Sequence, residues 1–143
     1  MTPRAGGFPR AQLSLEYLLL LAACFAAFAL LLPAAHNVYS SALFALDSKA
    51  AGLFAQQMQA CVSEMRFLGD GSTMAVSARP LTAWLIQGDN DSLLVSVEAQ
   101  GGSGRNFRVV FPNKISFNPE RLGREKSFIL EKRNGLIYLN TAS

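Results

Sequence analysis

Hydrophobic and polar positions follow three successive rhythms along this chain. From Tyr17 to Ala35 no side chain is charged and almost none is polar. As a helix this run extends roughly 28 Å at about 1.5 Å per residue, close to the ~30 Å of a bilayer hydrocarbon core. From residue 36 the pattern becomes one-sided. Leu43, Leu46, Ala50, Phe54, Met58, Cys61, Met65 and Leu68 recur every three or four positions, as one helical face requires. Asp47, Lys49, Gln56, Gln59, Ser63 and Arg66 fall mostly elsewhere. A helix passing from lipid onto the surface of a packed domain would change in this way. Gly69, Asp70 and Gly71 supply the stop. A helix from Leu15 to Leu68 would be about 80 Å long. Pro33 is expected to kink or break it, because proline removes a backbone donor and crowds the preceding turn.

Beyond residue 72 the period is two. Candidate strands are Thr73–Ala78, Leu81–Gln87, Ser92–Ala99, Asn106–Phe111, Lys114–Phe117, Ser127–Lys132 and Leu136–Asn140. Turn chemistry separates them at Gly88 to Asp91, at Gly101 to Gly104 and at Asn134-Gly135. The last pair suits the two-residue turn of a hairpin. The expected fold is α+β: a long N-terminal α-helix, apolar in its first half and amphipathic in its second, packed on a C-terminal antiparallel β-sheet head. Trp84, Phe107, Phe111 and Phe117 are read as sheet core.

Charge sharpens this reading. Arg4 and Arg10 precede the apolar run, and no acid comes before Glu16. Basic residues ahead of a first apolar helix favour a cytoplasmic N-terminus, with the remainder outside. The formal net charge is +3. Residues 44–100 carry three bases against six acids, and residues 101–143 carry eight bases against three acids. Opposed signs of this kind suit packing between neighbouring copies. The aromatic residues among the bases are better explained by the sheet core than by stacking on bases, so nucleic acid is not an expected partner. Cys24 and Cys61 lie 37 residues apart on one helical stretch, about 55 Å. They cannot form a disulfide within a chain.

The segment Arg10-Ala11-Gln12-Leu13-Ser14-Leu15-Glu16-Tyr17 carries the functional signal. A secretory signal places its small-residue cleavage site after the apolar core. Here the candidate site precedes the core, and a carboxylate stands at the membrane boundary, where it costs free energy unless partnered. Gln12, Ser14 and Glu16, followed by Tyr17 and the apolar run, resemble the class III signal peptide of archaeal type IV pilins. The match covers about a dozen residues, and nothing in the head adds to it.

That resemblance implies cutting by a prepilin peptidase between Ala11 and Gln12 at the cytoplasmic face. It divides the chain into a leader at 1–11, a transmembrane and filament-core helix at 12–35, an amphipathic helix at 36–69 and an extracytoplasmic head at 70–143. It also implies identical or related pilin subunits as partners, the membrane before assembly, an assembly ATPase and a platform protein. Ser14, Glu16, Tyr17, Leu18, Leu21, Phe25 and Phe28 become the candidate assembly residues. The expected function is a structural subunit of an extracellular type IV pilus-like filament. The alternatives are a minor pilin with an adhesive, ligand-binding or DNA-binding head, and an uncleaved single-pass protein anchoring a binding domain.

Asn90-Asp91-Ser92 is a glycosylation sequon on a predicted turn, which makes Asn90 a candidate modification site. Asp89-Asn90-Asp91 lacks the glycine and distal acid of a calcium loop. The chain has one histidine, His36, no zinc-type spacing, no phosphate loop and no nucleophile elbow. Neither catalysis nor a cofactor or metal is therefore expected.

Overall fold

The computed structural model describes residues 9–98, 102, 104–115 and 117–142, with side chains from Ser14 onward. Its first element is a single helix, α1, Pro9–Met65. Proline fits the first helical position, where its missing N–H is no loss. The helix thus begins before Gln12, the expected start of the filament-core helix. It also runs unbroken through Pro33. Strong helix formers without β-branching, Leu30 to Leu32 and Ala34-Ala35, flank that proline and hold helical geometry on both sides. The helix ends at Met65, three residues before the expected Leu68.

The chain divides into two compact units, Met1–Tyr39 and Ser40–Ser143. In the first, the side chains from Ser14 to Tyr39 are exposed throughout. One helix near the N-terminus is long and apolar enough to cross a membrane.

Among the described residues the second unit holds the rest of α1 and seven strands: β1 Thr73–Ala78, β2 Trp84–Asp89, β3 Ser92–Glu98, β4 Gly104–Val110, β5 Glu120–Leu122, β6 Lys126–Arg133 and β7 Leu136–Thr141. They form two antiparallel sheets rather than one, in the orders β1-β6-β7 and β4-β3-β2-β5. The expected strand at 114–117 is absent at the described positions. Ile115 and Phe117 alternate like strand residues, but they make only isolated backbone bonds, to Asn90 and from Gly88. In its place the three-residue β5 closes the second sheet. Asn134 and Gly135 have φ of 51° and 75° and join β6 to β7, as the hairpin signal required. The other tight hairpin turns at Asn90-Asp91, with Asn90 at φ 52°. Gly88 and Asp89, expected in that turn, belong to β2.

Both sheets and α1 contribute to one core. Phe54 joins the layers, its ring lying 5.9 Å from that of Trp84 and 5.6 Å from that of Phe128. The buried helical face is Asp47, Ser48, Ala51, Phe54, Ala55, Met58, Val62 and Met65. It shares Phe54, Met58 and Met65 with the expected stripe. Leu46 and Leu68 are exposed, while Leu43, Ala50 and Cys61 are half-buried. The face is rotated because α1 turns Asp47, not Leu46, toward the sheets.

Asp47 is fully buried. Its carboxylate accepts from the Leu81 amide at 2.9 Å, the Thr82 amide at 3.0 Å, the Thr82 hydroxyl and the Trp84 indole N–H at 2.7 Å. Residues 81 and 82 are therefore not strand, and β2 starts at Trp84. A buried carboxylate persists where hydrogen bonds replace its lost hydration. Lys132 closes the other end of α1, donating to the carbonyls of Arg66 at 3.0 Å and Leu68 at 2.6 Å. Those carbonyls would otherwise lack helical donors.

Candidate functional site

The motif residues lie at the start of α1. The Ala11–Gln12 peptide falls within helical backbone, and the side chains of these two residues lie outside the described part. Ser14, Glu16 and Tyr17 follow, all exposed. Leu18, Leu21, Phe25 and Phe28 are spaced three and four apart, so one helical face collects them. They are 52–64% exposed. Leu32, Ala35 and Tyr39 continue the same series, a repeat of 3.5 residues suited to packing against another helix. Ala22, Ala26 and Ala29 lie among the large side chains and permit close approach. Within the chain, nothing described covers this surface.

The β2–β3 hairpin places Asn90 at an exposed turn. Its sequon partner Ser92 is buried, and the Ser92 hydroxyl donates to the Asp89 carbonyl at 3.0 Å. The Asn90 and Asp91 carbonyls accept from the amides of Ile115 and Phe111, both at 2.7 Å. Both turn carbonyls beside the sequon are thereby tied down.

The bases of residues 101–143 are dispersed. Arg108 meets Asp89 at 3.3 Å, Lys126 meets Glu120, Arg133 meets Glu131, and Lys132 is committed to the end of α1. Arg79 meets Glu125 at 2.8 Å. Exposed pairs of this kind contribute little, up to about 1 kcal/mol each.

Surface depressions among the described residues of the second unit include three on the sheets and their loops. One is lined by Leu85, Ser96, Glu98 and Asn106, one by Phe117, Glu120, Leu139 and Thr141, and one by residues 120–126. Among the described residues no three His, Cys, Asp or Glu side chains come together where a metal could sit. His36 is exposed on α1. Both cysteines are free. Burial, with the nearby Glu64 charge adding to it, pushes the Cys61 thiol up from its ordinary value. Cys61 therefore acts as a half-buried apolar residue rather than a nucleophile at neutral pH.

Sequence reasoning missed Asp47, the polar residue on which the head's entry loop depends. A lone Asp in a helix looks like a solvated residue. A usable signal is its spacing of four from Ala51 and seven from Phe54, which places it on the face those two share. No protein-family model, no curated protein and no solved structure matches the chain.

Proposed function

We propose that this protein is a structural subunit of a type IV pilus-like filament on the cell surface, held in the membrane by α1 before assembly and polymerised through the same segment afterwards. The observation that carries the reading is a long apolar helical surface left uncovered by its own chain, directly behind Gln12-x-Ser14-x-Glu16. In lipid, the face of Leu18, Leu21, Phe25 and Phe28 is solvated by acyl chains. Once extracted, it must be covered again, and equivalent helices of other copies offer the same spacing. Burying each large side chain from water contributes roughly 1.5–3 kcal/mol, so several per subunit make a durable polymer. Head-to-tail repetition of one contact gives an open fibre rather than a ring.

In this reading a prepilin peptidase cuts between Ala11 and Gln12, after the first turn of α1 has opened to admit the enzyme. The new amine at Gln12 is compensated by Glu16 of a neighbour, because an unpaired buried charge is strongly unfavourable. Glu16→Ala is expected to leave cleavage intact and abolish incorporation into fibres, read by immunoblot of membrane and sheared-surface fractions. Normal fibres from that variant would refute the pairing. N-terminal sequencing of sheared fibres should begin at Gln12. A retained Met1 in a protein confined to membranes would instead identify an anchored binding domain.

A glycan on Asn90 belongs to this exported state. The buried Ser92 hydroxyl and the clamped turn require its addition before the β2–β3 hairpin closes. Replacing Ser92 with Ala should remove any glycan mass from the purified chain. Treating folded, unmodified protein with the transferase should add none.

A further inference from the structure

Three of the four sheet edges are blunted. At the β4 edge the Gln59 amide mimics a strand, accepting from the Val110 N–H at 2.8 Å and donating to the Val110 carbonyl at 3.3 Å. At the β7 edge Asn113 does the same for Ile137, at 2.9 and 3.0 Å. The β5 edge is three residues long. These are the devices by which proteins keep sheet edges from recruiting other strands.

The β1 edge has none of them. Thr73-Met74-Ala75-Val76-Ser77-Ala78 contains no charge and no proline. The Lys132 amide donates to the Ser72 carbonyl at 3.0 Å, so the even-numbered residues of β1 turn their backbone groups toward β6. The N–H and C=O groups of Thr73, Ala75 and Ser77 point the other way and meet no partner among the described residues. Their side chains are small and exposed, and Met74 leaves the core rim half-covered at this edge.

We infer that β1 pairs antiparallel with β1 of a second copy of this chain, Ala75 opposite Ala75. The sequence selects this occupant. In that register Thr73 lies opposite Ser77 of the second copy, so all the outward backbone groups are used at once. Met74 lies opposite Val76 and closes the open core rim. Arg79, 76% exposed in its pair with Glu125, comes opposite Gly71 and beside the exposed Asp70 of the second copy. No like charges oppose one another. A contact that a patch makes with itself must be self-complementary, and this segment is so at every position. A foreign strand would gain specificity from side-chain pockets beside the edge, and none of the depressions described above is lined by a β1 residue. The pairing does not rest on the filament reading.

The test uses the full-length chain in detergent micelles and in native membranes, with Cys24→Ala and Cys61→Ala as background. On mild oxidation Ala75→Cys should shift to twice the monomer mass and return with reductant. A hydrogen-bonded antiparallel pair places its Cα atoms about 5.5 Å apart, within disulfide reach. Thr141→Cys, on the opposite edge of the same sheet, should stay monomeric. A mixture of Thr73→Cys and Ser77→Cys chains should cross-link, and neither should do so alone. In the unsubstituted chain the Thr73, Ala75 and Ser77 amides should exchange more slowly as protein concentration rises. The inference is overturned if Ala75→Cys stays monomeric or is captured only by a different protein. It is equally overturned if Thr73→Cys links to itself or if the three amides exchange at a concentration-independent rate.

Discussion

Removing the fully buried Asp47 carboxylate strands four donors, of which the Trp84 indole is buried and the three on Leu81 and Thr82 lie at a part-buried margin. Two are backbone amides, one is the Thr82 hydroxyl and one is the Trp84 indole N–H. An unsatisfied buried polar group costs about 1–3 kcal/mol, so Asp47→Ala should destabilise the head by about 3 kcal/mol or more. The chain has a single tryptophan, fully buried here, so urea titration followed by Trp84 fluorescence reads the loss directly. Asp47→Asn keeps one carbonyl oxygen as acceptor and should fall between the two. Ser48, the next residue, gives a useful contrast. Its hydroxyl is buried without a partner among the described residues, so replacing it with Ala should not reproduce the loss. Equal damage from both would show that the site is sensitive to any change rather than to its hydrogen bonds.

At the scale of elements, close approach decides several joins. A Cβ on Gly88 would stand 3.1 Å from the backbone nitrogen and oxygen of Phe117. Gly88→Val should therefore push residue 117 off β2 and lower the unfolding midpoint in the same titration. A substitution of this kind typically costs about 1–3 kcal/mol. The same join explains which elements could be read in advance. Strands β1, β3, β4, β6 and β7 alternate over six residues or more, with turn residues between them, and were legible to within about two residues. Strand β5 presents only Leu122 inward as a buried side chain, too little to make an alternation. Residues 114–117 show the alternation without a ladder, because Ile115 and Phe117 pack on the core from a loop. The helical period of α1 was plain, but its inward face was not. Polarity argued that Asp47 faces outward, and only the bonds from residues 81–84 reverse that. Of the candidate site, the apolar series at 18, 21, 25 and 28 was legible as spacing. Its exposure required the fold.

For the whole molecule, the core draws only on residues 44–139 among those described. A fragment of residues 40–143 should thus stay soluble without detergent and keep the blue-shifted emission of buried Trp84. The full chain should precipitate unless lipid or detergent covers the face of Leu18, Leu21, Phe25 and Phe28. Gel filtration of both, with and without detergent, checks the difference. A fragment that loses its blue emission would place part of the head's stability in residues 1–39.

The position of β6 has a consequence for how the protein is made. It is the middle strand of its sheet, between β1 and β7, and its Lys132 also fastens the end of α1. Yet residues 126–133 leave the ribosome roughly fifty positions after β1. Until they arrive, β1 has no neighbour and the last turn of α1 has no clasp. The domain cannot mature piecemeal as it is translated. A ribosome stalled before Lys126 would hold a nascent chain whose early strands are still open to proteases, and only the emergence of β6 would shut them.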